Sequence, residues 1–142
     1  MLSKLLSESD NIEYYNDIED DRKLLSKMSG FRFFISLDLK HCVSEDEFYE
    51  FIQYRAKLLI QCNINRNGMS ASELFSIVNK RPKDGDWHPF LFKYYDKLLA
   101  KYQLGLINLD VDDDAYNIFV VRRENISKLQ RTKSDIGAFK RI

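Results

Sequence analysis

Residues Gln103–Arg123 read QLGLINLDVDDDAYNIFVVRR, and this stretch decides the fold. Two apolar runs rich in β-branched side chains, LGLINL and YNIFVV, flank a knot of Asp110, Asp112, Asp113 and Asp114. Ile, Val, Phe and Tyr suit a pleated, half-buried backbone, and an Asp-rich break between two such runs signals a hairpin. The break also gathers several carboxylates on one exposed loop tip.

Downstream, Glu124 to Arg131 (ENISKLQR) has room for two helical turns, and AFKRI at the end can add an edge strand. Upstream, Pro89 suits the first turn of a helix whose apolar side is Phe90, Leu91, Tyr94, Tyr95, Leu98 and Leu99. The preceding KRPKDGDWHP reads as a loop punctuated by Pro82, Gly85 and Pro89. Ser70 and Glu73 form a capping-box pattern ahead of a short helix through Leu74, Phe75 and Val78.

Ser44 and Glu47 make the same pattern before the best-defined helix. Its stripe is Phe48, Phe51, Ile52, Arg55, Leu58, Leu59 and Cys62, with one arginine among core-type residues. Cys62, at the end of that stripe, is expected in the core. FRFFISLDL, Phe31 to Leu39, is a dense aromatic and β-branched run and reads as a buried strand. Before it, Ile18, Leu24, Leu25 and Met28 have helical spacing up to a stop at Gly30. Residues 8–21 carry seven acidic side chains and no basic ones, and residues 1–17 form an acidic N-terminal segment that can be flexible.

The order is strand, three helices, two strands, helix, strand. This predicts a single α+β domain over residues 1–142, a mainly antiparallel sheet of about four strands with helices packed on one face. At 142 residues the chain can bury an ordinary core. Twenty-two basic residues against 22 acidic ones leave no global field for nucleic acid or an anionic membrane. Two cysteines and an N-terminus too short and acidic for a secretory signal point to reduced thiols in the cytoplasm. No apolar run approaches the ~20 residues of a membrane span.

Asp110, Asp112 and Asp114 have the 1, 3, 5 spacing of an EF-hand loop. That loop needs Gly at its sixth position and Glu at its twelfth, where this chain has Ala115 and Val121. His41, Cys42, Cys62 and His88 lack the close pairing of a zinc site, and no phosphate loop or nucleophile motif occurs. Neither a metal nor any other cofactor is implied. Turn chemistry alone explains one or two aspartates at such a break, so a plain solvated turn stays open. Like charges this close repel, and a cluster of four also suits a surface that meets a cationic partner. Trp87, the only tryptophan, lies in a charged loop, where it can anchor the loop to the core or an interface. Basic residues gather late, at Arg122, Arg123, Lys128, Arg131, Lys133, Lys140 and Arg141. Tyr14, Tyr15, Tyr49, Tyr54 and Tyr102 add amphipathic contact area where exposed.

Over residues 87–142 the pattern resembles small uncharacterised bacterial proteins of the polymorphic-toxin immunity type. Trp87, Leu104, Gly105, Leu106, Asp110, Asp114, Tyr116, Val120 and Val121 carry the resemblance. It implies a toxin-neutralising partner and no catalytic residues. The expectation is a non-enzymatic binding protein that occludes a toxin's active site, such as that of a cationic nuclease domain. The contacts expected are Asp112, Asp113, Asp114 and Trp87, with no membrane and no nucleic acid as partner. Two other readings remain. One is a small metal-dependent hydrolase using the Asp110–Asp114 loop; the other is an RNA-binding regulatory module using the basic C-terminal region.

Overall fold

The computed structural model describes residues 23, 34–38, 45–65, 88–111, 115–134 and 137–142. The helix expected from Ser70, the loop before His88, Trp87 itself, Asp112, Asp113, Asp114, His41, Cys42 and the acidic segment 8–21 lie outside them. Within the expected 18–28 helix, Lys23 is described; it is helical and exposed.

The elements run β1 (Ile35–Asp38), α1 (Glu45–Ile60), α2 (His88–Ala100), β2 (Leu104–Asp110) and β3 (Ala115–Arg122). A 3-10 turn (Arg123–Asn125), α3 (Ile126–Arg131), β4 (Lys133–Ser134) and β5 (Gly137–Arg141) follow. The strands form one sheet in the order β1-β3-β2-β5-β4, antiparallel throughout. The arrangement is therefore α+β, as expected. The terminal AFKRI run takes an inner place, because two-residue β4 pairs along its outer side.

Alternation along the strands gives the sheet two apolar faces. Leu104, Leu106, Ile118, Val120 and Leu37 point to one face, where they meet the buried sides of α1 and α2 in a single core. Ile107, Leu109, Phe119, Val121 and Phe139 point to the other, together with Phe34, whose ring stacks on Phe119 at 4.9 Å. Ile126 and Leu129 of α3 are buried on this second side. The two long helices thus share one face, and the short C-terminal helix covers part of the opposite one. Burial on both faces explains why LGLINL and YNIFVV are almost continuously apolar instead of alternating.

Between α1 and α2 the contact is aromatic. Phe48 lies 5.6 Å from Phe92 and 5.2 Å from Tyr95, ring centre to ring centre. Phe92, which the sequence pattern left off the apolar side, is buried, whereas Phe90 is half-buried. On α1 the buried stripe is Phe48, Phe51, Ile52, Arg55, Ala56 and Leu59. Leu58 is 39% exposed, since it sits about 100° round the helix from Leu59. Cys62 is also exposed, contrary to expectation. The helix ends at Ile60, and Gln61 turns left-handed at φ 55°, so Cys62 never continues the stripe.

After that turn the chain folds back along α1. The Gln53 carboxamide accepts from the Ile64 N–H at 2.7 Å and donates to the Ile64 carbonyl, which also accepts from the Tyr49 hydroxyl at 2.8 Å. Ile64 is thereby held in the core. The Asn65 N–H donates to the Tyr102 hydroxyl at 3.0 Å, tying this segment to the α2–β2 turn. Arg122 closes the helix end by donating to the Leu59 carbonyl at 2.9 Å, a cation on an orphan carbonyl of the last turn.

Candidate functional site

The segment that carries Asp112, Asp113 and Asp114 joins β2 to β3, and the two strands part before it. Their ladder ends at Asn108–Ile118, whereas β3 stays paired with β1 down to Asp38–Ala115. Beyond Asn108, side chains replace ladder bonds. Asn108 Oδ1 accepts from the Asn117 N–H at 2.8 Å, and Asn117 Nδ2 donates to the Leu109 carbonyl at 3.0 Å. Two asparagines thus prop the strands apart before the acidic loop.

Asp110 belongs to the sheet, not the loop tip. It pairs with Ala138 of β5, and its carboxylate accepts from Lys140 Nζ at 2.6 Å. One of the four aspartates is therefore neutralised within the molecule, which corrects the picture of four unpaired charges. Gly137 makes that geometry possible: a Cβ there would stand 2.1 Å from the Asp110 carbonyl oxygen.

The N-terminus of α2 arrives at the same end of the sheet. His88 is buried, stacks on Phe92 at 5.9 Å and meets the Tyr116 ring edge-on at 5.9 Å. Tyr116 also contacts Phe92, at 5.1 Å. Trp87 immediately precedes His88, and Asp114 stands two residues before Tyr116. The two segments that carry the expected contacts therefore enter the described fold side by side. His88 and Tyr116, the pair that joins them, enter the sequence reading only as a weak metal-ligand candidate and as part of the resemblance, not as a contact. Their signal was present only as an aromatic at a strand start and a histidine at a helix start.

The late basic residues are largely drawn into the fold. Arg122 caps α1, Arg123 bonds Asp96 and the Leu104 carbonyl, Lys140 pairs with Asp110, and Arg141 donates to Gln130 Oε1 at 3.1 Å. Arg55 is buried deep beneath the sheet, its guanidinium near the Val120 carbonyl at 3.5 Å. Of the tyrosines, Tyr54 is exposed on α1, while Tyr49 and Tyr102 are half-buried and hydrogen-bonded. Among the described residues no three His, Cys, Asp or Glu side chains converge as metal ligands, and no helix is long and apolar enough to cross a membrane.

Residues 65–139 match the family model described as Domain of unknown function (DUF6630). The chain belongs to the DUF6630 family. The matched stretch takes in α2, the hairpin with its aspartates, α3, β4 and most of β5, and leaves out β1 and α1. The DUF6630 region therefore contains Trp87, Asp110, Asp112, Asp113 and Asp114, as well as the His88–Tyr116 contact. No curated protein and no solved structure matches the chain.

Proposed function

We propose that this protein is a non-enzymatic, cytoplasmic binding module of the immunity type, which neutralises a cognate toxin by covering its active site. The observation that supports the reading is the His88–Tyr116 contact, which brings the entry points of the Trp87 and Asp112–Asp114 segments to one end of the sheet. Trp87 supplies an aromatic anchor, and Asp112, Asp113 and Asp114 supply negative charge for a cationic partner such as a nuclease domain. His88 and Tyr116, described residues close to these segments in the chain, belong to a fold whose sheet is buried on both faces, the kind of rigid support a contact surface needs.

The test is calorimetric binding to a toxin domain encoded beside the gene. Wild type is compared with Trp87→Ala and with the triple variant Asp112→Lys, Asp113→Lys, Asp114→Lys. Losses of at least about tenfold in either variant are expected. Unchanged affinity in both removes this end of the sheet as the contact, and absence of any toxin binding removes the immunity reading.

A further inference from the structure

We propose that Asp96 and Arg123 form a clasp that keeps the stretch of β2 left unpaired by strands among the described residues from adding a strand of a second copy of this chain. The Arg123 N–H donates to the Gln103 carbonyl at 2.9 Å, which fixes the phase of the ladder. Backbone groups of Gln103, Gly105 and Ile107 face β3, and those of Leu104 and Leu106 face the opposite edge. There β5 pairs with β2 only from Ile107 to Asp110, so Leu104 and Leu106 lie past its end. Their carbonyl and N–H would stand bare, the arrangement that invites edge-to-edge pairing.

Two side chains close that edge from opposite faces of the sheet. Asp96 reaches from α2 and accepts from the Leu106 N–H at 2.9 Å through Oδ1. Arg123 crosses the second face at Gly105 and donates from Nε to the Leu104 carbonyl at 3.0 Å. Its Nη2 then meets Asp96 Oδ1 at 3.0 Å and the Asp96 carbonyl at 2.8 Å. Gly105 is the gap that lets them pass: a Cβ there would lie 2.8 Å from Ile126 Cδ1, 3.1 Å from Asp96 Oδ1 and 3.2 Å from Arg123 Nη2. The side chains of Arg123 and Asp96 keep 34% and 27% of their exposure, so the clasp lies at the surface and covers Leu104 and Leu106, which are buried beneath it. Leu104, Gly105 and Leu106 carry no charge of their own, so once the clasp is gone nothing on this segment repels the same segment of another copy.

The test is sedimentation of the double variant Asp96→Ala, Arg123→Ala over a wide concentration range, with circular dichroism to check folding. The variant's mean mass is expected to climb toward that of two chains at concentrations where the wild type's is constant. A folded double variant that sediments like wild type at every concentration overturns the proposal. Hydrogen exchange on the wild type decides independently. The Leu106 amide is expected to exchange at least about a hundredfold more slowly than exposed amides. Exchange at the exposed rate overturns the clasp whether or not the double variant folds.

Discussion

The Asn117 N–H donates to Asn108 Oδ1 at 2.8 Å, where a continued antiparallel ladder would use the Leu109 carbonyl; that carbonyl accepts instead from Asn117 Nδ2 at 3.0 Å. One asparagine amide is thus inserted into each half of a ladder bond. Asn117 is only 7% exposed, so truncation leaves a buried carbonyl without this donor. Asn117→Ala is expected to cost about 1–3 kcal/mol in urea denaturation. Asn117→Asp should cost more, since it places a carboxylate against the Leu109 carbonyl in a desolvated site. If Asp is tolerated better than Ala, the two asparagines do not act as described.

The two close-packed glycines differ in what blocks them. At Gly137 the obstacle is backbone, the Asp110 carbonyl oxygen at 2.1 Å; at Gly105 the nearest atom is the end of a flexible isoleucine. Gly137→Ala therefore has to separate β5 from β2, and about 2–4 kcal/mol of destabilisation is expected. Gly105→Ala should cost less in stability. It should, however, disturb the Asp96–Arg123 contact, visible as faster exchange of the Leu106 amide. Equal costs at the two positions would contradict this account.

Much of this architecture is legible in the residues, and what is not has physical reasons. The hairpin was readable because two-face burial makes both strands densely apolar. The ends of the elements were harder. A stripe through Cys62 assumed a helix that continues, and the left-handed turn at Gln61 carries no glycine to announce it. Pairing across the sheet was harder still, since nothing local links Asp110 to Lys140 30 positions away or Asp96 to Arg123 27 positions away. A run of charges in the sequence therefore does not tell which of its members pair within the fold, as Arg123 does with Asp96.

Gln53 is half-buried, yet it holds Ile64 by both backbone groups. Gln53→Ala is expected to destabilise by about 1–3 kcal/mol through the lost amide pair. Gln53→Glu keeps an acceptor for the Ile64 N–H but turns a charge toward its carbonyl, so it should not rescue. Limited proteolysis offers a local readout, with faster cleavage near residues 61–65 expected in both variants. Unchanged cleavage would mean that Ile64 burial alone fixes the segment.

The Asp110–Lys140 pair is partly exposed, at 33% and 62% of side-chain area, so its contribution to stability is small. Lys140→Met is expected to shift the unfolding free energy by less than about 1 kcal/mol. Its effect on association should be larger, because it removes a cation beside the acidic loop. If the partner is cationic, the association rate should rise and become more sensitive to salt. A slower rate would point to an anionic or neutral contact.

Gln61 and Gln103 both adopt left-handed backbone, at φ 55° and 61°, immediately after α1 and in the turn that follows α2. A side chain with a Cβ pays about 1–2 kcal/mol in that region, which glycine avoids, although glycine also gives the unfolded chain more freedom. At Gln103 the backbone bonds are already made: its N–H donates to the Ala100 carbonyl at 3.2 Å and its own carbonyl accepts from Arg123. Gln103→Gly should therefore keep every bond and relieve the strain, for a net gain of about 0.5–1 kcal/mol. Gln103→Val should lose stability, because branching at Cβ makes positive φ costlier. The expected order of chemical denaturation midpoints is Gly, then Gln, then Val, and a glycine variant weaker than wild type would show that the Gln103 side chain holds the turn.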